Sequence, residues 1–91
     1  MSFYQARTRN VLKVRVLDAF PLAGDPPVGQ WMLPKNIWQA ARQPGAFRAF
    51  YTYLRRLERY QLVCRALNAQ GALFYRITDK GIQRLRYLTR H

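Results

Sequence analysis

Ninety-one residues suffice for a single domain, residues 1–91, with a core just large enough to fold without disulfide or metal staples. A hydrophobic fraction of 49%, including two Trp, six Tyr and five Phe, excludes a disordered basic tail. Sixteen Lys and Arg against four acids give +12, a self-repelling balance that asks for a polyanion; nucleic acid fits better than membrane, since no apolar run nears twenty residues.

Residues 1–7 show no clear period and are expected as a loose or partly docked N-terminal arm, with Arg7 and Arg9 either touching phosphate or simply solvated. Two readings compete from Thr8 to Phe20. Leu12, Val14 and Val16 alternate with Lys13 and Arg15, as in a strand. Leu12, Val16, Ala19 and Phe20 also form a helical stripe, with Thr8 placed as N-cap. Thirteen residues and the downstream pattern favour a first helix. Pro21 stops it, and PLAGDPPVGQ, residues 21–30, reads as a loop longer than most connections. Trp31, Met32 and Leu33 follow as a short apolar strand or turn. Both Trp31 and Trp38 are expected to cap the core beneath the loop; an exposed Trp38 would instead mark a partner surface. Pro34 occupies a first helical position, and KNIWQAAR continues as a second helix with Ile37, Ala40 and Ala41 on one face.

Gln43-Pro44-Gly45 breaks the chain, and residues 46–61 form the most ordered pattern in the sequence. At about 100° per residue, Phe50, Leu54 and Leu57 share one side, with Phe47 and Tyr53 at its margins. Arg48, Thr52, Arg55 and Arg59 share the other. A short helix, a turn with glycine and a longer charged helix make the helix-turn-helix layout. Beyond Leu62 the period changes to that of two strands joined at Asn68-Ala69-Gln70-Gly71. Pairing Leu67 with Ala72 puts Cys64 opposite Tyr75 and Arg65 opposite Phe74. One face is then Leu62, Cys64, Ala66, Leu73, Tyr75 and Ile77, packed on the helices. The other is Val63, Arg65, Phe74 and Arg76, either a wing along a phosphate backbone or a solvated face with local cation–π contacts. Thr78 caps a fourth helix, DKGIQRLRYLTRH, with Ile82, Leu85 and Leu88 as its core stripe. Its cations Arg84, Arg86 and Arg90 suit a helix C-terminus in any case.

Catalytic chemistry has little material here. Asp18, Asp25, Glu58 and Asp79 are isolated, His91 is the only histidine and Ser2 the only serine. No convergent carboxylates, metal set or nucleophile beside a base can be assembled from them. Cys64 alone forms no internal disulfide or metal cluster and reads as a small buried hydrophobe. The expectation is a binder without enzymatic activity, cofactor or metal. No signal-peptide pattern follows the N-terminus, so the cytoplasm is the expected compartment.

The stretch YTYLRRLERYQLV followed by FYRITDKGIQRL resembles the MarR and PadR groups of winged-helix transcription regulators over roughly residues 31–88. The residues carrying the likeness are Leu57, Leu62 and Val63, then Tyr75, Ile77, Thr78 and Gly81. The chain departs from that pattern at Gln61, where glycine usually supplies a left-handed helix cap. The resemblance implies an α+β winged helix-turn-helix fold with a three-helix core, a two-stranded wing and a C-terminal helix. It implies that the helix over residues 46–61 enters the major groove of double-stranded DNA. Arg48, Thr52 and Arg55 are then expected at base edges, and Tyr51, Arg56 and Arg59 at the flank or phosphates. Lys35 and Arg42 are candidates to clamp the backbone, and Arg65, Phe74 and Arg76 form the wing. One copy spans only a half-site, so a homodimer or a protein partner is expected to complete tight binding. The alternatives are a protein-interaction winged helix in a larger assembly, or RNA binding with Phe74 as a stacking platform.

Overall fold

Leu12, Val16, Leu17, Ala19 and Phe20 can all turn to one interior only on a helix, and α1 spans Phe3–Asp18. The computed structural model describes residues 3–90, with side chains described from Asn10 onward. Residues 3–7, expected as part of a loose arm, are the first turns of this helix, because FYQARTR holds neither Gly nor Pro to stop it. The side chains of Arg7 and Arg9 lie outside the described residues.

The expected loop over residues 21–30 is a small hairpin. Its strands β1, Leu22–Ala23, and β2, Val28–Gly29, pair antiparallel. Gly24 turns the chain at φ 92°, and Pro26 and Pro27 fall between the strands, where a missing N–H breaks no ladder bond. Gly29 lies so close to β4 that a β-carbon there would collide with the Ile77 carbonyl and side chain. Met32 then bridges to Tyr75 by two backbone hydrogen bonds of 2.9 Å, laying the segment before α2 along β4.

Helix α2, Pro34–Ala40, has Pro at its start and buries Ile37, with Ala41 buried just beyond its end. After a turn through Gly45, α3 runs Phe47–Arg59 and buries Phe50, Leu54 and Leu57, the three positions its pattern assigns to the core. The strands β3, Val63–Leu67, and β4, Leu73–Ile77, form the second hairpin. Its register differs by one residue from the expected pairing: Val63 faces Ile77, Cys64 faces Arg76, Arg65 faces Tyr75, Ala66 faces Phe74 and Leu67 faces Leu73. The turn extends over Asn68 to Ala72. Asn68 N donates to Ala72 O, and its Oδ1 accepts from the amides of Gln70 and Ala72 at 2.9 and 2.8 Å. Gly71 provides the left-handed step at φ 82°. One residue of slip exchanges the faces of β3. Val63 joins Tyr75 and Ile77 in the core, while Cys64 and Ala66 stand on the opposite face with Phe74 and Arg76.

Helix α4, Asp79–Arg90, starts from Thr78, whose Oγ1 accepts from Gly81 N at 3.0 Å as an N-cap. It packs its Ile82 and Leu85 against the core beside α1. The result is an α+β fold of four helices and two small antiparallel hairpin sheets around one apolar cluster. No helix among the described residues is long and apolar enough to cross a membrane.

Candidate nucleic-acid interface

Helix α3 is held on three sides. Trp38 of α2 donates its indole N–H to Gly45 O at 3.0 Å and meets Phe47 edge-on at 5.5 Å. Phe47 meets Tyr51 at 6.3 Å, and Tyr51 meets Tyr75 of β4 at 6.4 Å, each edge to face. This ladder of four rings runs from α2 along α3 to the second hairpin. Arg15 of α1 adds a brace: its Nε and a terminal guanidinium nitrogen donate to Ala41 O and Arg42 O at 2.7 and 2.8 Å. A cation on the last carbonyls of α2 is favourable for the helix dipole as well as for hydrogen bonding.

The exit of α3 is closed by backbone alone. Leu62 N donates to Leu57 O at 3.0 Å and Gln61 N to Glu58 O at 2.8 Å, the paired bonds of a Schellman cap. Gln61 takes the left-handed conformation, φ 66°, that glycine usually supplies. The cap expected of a glycine therefore forms without one. Gln61 O in turn accepts from Thr78 Oγ1 at 2.6 Å, and Leu62 O accepts from Thr78 N at 3.1 Å, so the ends of α3 and β4 are tied together.

With its back buried and its ends fixed, α3 presents Arg48, Thr52, Arg55, Arg56 and Arg59 to solvent. Arg48, Thr52, Arg55 and Arg59 lie within about 60° of arc around the axis, with Arg56 beside them. Thr52 Oγ1 donates back to Arg48 O at 3.2 Å, which leaves its oxygen to accept. Among the described residues none of the four arginines has an acidic partner. The nearest acid on the helix, Glu58, is engaged at 3.1 Å by Arg65 of β3. Tyr51 is half-buried in the ring ladder and reaches the flank of this face only in part. Lys35 and Arg42 are exposed at opposite ends of α2, Arg42 at the turn that leads into α3.

The wing set does not come together as expected. Arg65 stands on the Tyr75 side of the hairpin beside Glu58, which raises its pKa further, whereas Phe74 and Arg76 occupy the other side. The guanidinium of Arg76 lies 4.7 Å over the Trp31 ring, and its Nε donates to Cys64 Sγ at 3.4 Å. Trp31 is 45% exposed instead of capping the core, because its ring is spread on the hairpin under Arg76; Trp38 is half-buried, as expected. The half-buried Phe74 is therefore no aromatic between two arginines. Sequence reasoning also passed over Lys13, Lys80 and Arg84, which line one cleft with Arg56 and Arg59. Reading residues 8–20 as a helix carries the signal for Lys13, which follows Leu12 at the edge of the apolar stripe.

Among the described residues no group of three or more His, Cys, Asp or Glu converges as a metal site would require. No protein-family model, curated protein or solved structure matches this chain.

Proposed function

We propose that the chain is a winged helix-turn-helix module that binds duplex DNA, with α3 in the major groove and β3–β4 as the wing. It serves as a transcription regulator or an accessory factor and performs no catalysis. The observation that carries this reading is the solvent face of α3: four arginines without acidic partners among the described residues, on a helix immobilised by its buried back and both ends. A helix about 10–12 Å across with its side chains suits a major groove about 12 Å wide. The order α2, turn, α3, hairpin, α4 supports the same assignment. The planar guanidinium fork matches the O6 and N7 acceptors of guanine, each such pair discriminating by about 1–3 kcal/mol. Arg48, Thr52 and Arg55 take the base edges in this arrangement, and Arg56, Arg59, Lys35 and Arg42 the phosphates. Both wing cations are already engaged, Arg65 by Glu58 and Arg76 by Trp31 and Cys64, so α3 and α2 supply most of the charge offered to the duplex.

Fluorescence anisotropy with duplex DNA, single-stranded DNA and duplex RNA tests the proposal. A preference for duplex DNA is expected, and its absence would sink the reading. Arg48→Ala and Arg55→Ala should each narrow the affinity gap between the best site and unrelated duplexes by roughly 1–3 kcal/mol. Arg59→Ala should weaken all duplexes alike. Equal behaviour of the three variants would overturn the division between base readers and phosphate contacts.

A further inference from the structure

Beside the C-terminal half of α3, an open cleft of about 720 Å³ lies between that helix, α1 and the start of α4. Five cations from three helices line it: Lys13, Arg56, Arg59, Lys80 and Arg84. No acid among the described residues faces them there. The lining also includes Leu12, Leu57, Tyr53 and Tyr60. Tyr53 is half-buried and Tyr60 is 55% exposed.

The geometry points to a binding site for a small aromatic polyphosphate, of the size and charge of a nucleoside diphosphate. Its ring would lie against Tyr53 and Tyr60 and its phosphates among Lys13, Lys80 and Arg84. Three features support this. The volume falls within the usual range for small-molecule sites, which combine an apolar lining with a few polar groups. Five like charges at one mouth focus a positive field that a surface salt bridge does not cancel. Burial, and then the charge of Arg84, lower the pKa of Lys13, and an anion between the two cations would offset the second of these. The site is independent of DNA binding. Only one consequence rests on the proposed function: since Arg56 and Arg59 belong to both surfaces, ligand and duplex would compete.

Calorimetric titration of the full chain with ADP tests the site without DNA. Saturable binding is expected, with inorganic pyrophosphate about tenfold weaker and adenosine not binding. Arg84→Gln and Lys80→Gln, both at exposed positions where folding is not at stake, should each weaken ADP by about tenfold, and Arg48→Ala should leave it unchanged. Absence of saturable ADP binding overturns the proposal, as do pyrophosphate binding equal to that of ADP and an unaltered Arg84→Gln. If ADP fails while Arg84→Gln weakens duplex DNA, the cleft is an extension of the duplex surface and the proposal falls. ADP binding in a protein without duplex preference would leave this site standing and remove the DNA reading.

Discussion

Arg42 and Gln61 hold left-handed backbone, φ 64° and 66°, at the ends of α2 and α3. That conformation costs a side-chain-bearing residue about 1–2 kcal/mol, against roughly 0.5–1 kcal/mol of entropy for glycine. Gln61→Gly should therefore raise stability by about 0.5–1 kcal/mol, read as a higher urea midpoint at unchanged slope. Arg42→Gly should gain a similar amount and lose duplex affinity, because it removes a cation at the entry to α3. Opposite signs in the two assays would separate strain that serves binding from strain that does not. Tyr75 presents another residue-scale case. Its hydroxyl is sealed from solvent and lacks a well-aligned hydrogen bond, with the Arg65 guanidinium acting on it from the facing strand. Burial raises its pKa, with the charges around Tyr51 and Glu58 acting in the same direction and Arg65 opposing. A raised folded value means a contribution fully present below the ordinary phenol range, about 10, and lost as pH rises through the folded value. Tyr75→Phe removes that loss together with a poorly aligned hydroxyl, so it should change stability by less than about 1 kcal/mol at neutral pH and flatten the alkaline decline. Denaturation at pH 7 and in the alkaline range checks this; a larger destabilisation at pH 7 would show that the Arg65 contact is a full hydrogen bond. Neither the cap strain nor the poorly paired hydroxyl is legible in the sequence. Pattern identifies which residues are apolar, not which backbone must bend or which hydroxyl pairs poorly.

The helices were the most legible elements: Phe50, Leu54 and Leu57 give α3 an unambiguous apolar stripe, whereas Leu12 and Val16 on α1 fit a strand as well as a helix and needed the length of the segment to decide. Thr78 and the Pro at the start of α2 marked their helix starts for good physical reason. The hairpins were less legible. The register of β3 against β4 depends on whether Ala72 belongs to the turn or to the strand, and the Asn68 side-chain bonds to the amides of Gln70 and Ala72 put it in the turn. Val63, β-branched and apolar beside Leu62, was the available signal that its side of β3 is the buried one. The β1–β2 hairpin was hidden by its prolines, which suppress a strand pattern without preventing two residue pairs at the base of a turn. Gly81 offers a prediction at this scale. A β-carbon there would strike the Leu62 carbonyl and the Ile77 side chain, so the start of α4 reaches the exit of α3 only with glycine at this position. Gly81→Ala should destabilise by about 1–3 kcal/mol by calorimetry, despite the higher helix propensity of alanine. A neutral result would mean that the two ends are not in contact.

At the scale of the whole molecule, a net charge of +12 is distributed with a direction. Of the four acids, Glu58 is committed to Arg65, Asp18 ends α1, Asp25 lies in the turn between β1 and β2, and Asp79 opens α4. The arginine face of α3 is thereby left without local compensation. Under the proposed function, neutralising about five phosphates predicts that log affinity falls with log salt at a slope of about −4.5. A slope near zero in an anisotropy series would remove electrostatics as the driving term. The excess of positive charge and its concentration on one helix were legible in the sequence; the cleft shared by α1, α3 and α4 was not, since it exists only once three distant segments meet.

The ring ladder from Trp38 through Phe47 and Tyr51 to Tyr75 joins this charge to the fold in a further way. Tyr75 also carries the backbone bridge to Met32, so helix and hairpin share one rigid frame. Re-aiming α3 against the wing would break the Tyr51–Tyr75 contact and the Thr78 bonds to the carbonyls of Gln61 and Leu62 together. Under the proposed function, the protein bound to a duplex would have no inexpensive way to adjust its own shape. The distortion would then fall on the DNA, and sequences that bend or unstack readily would be preferred at positions no side chain touches.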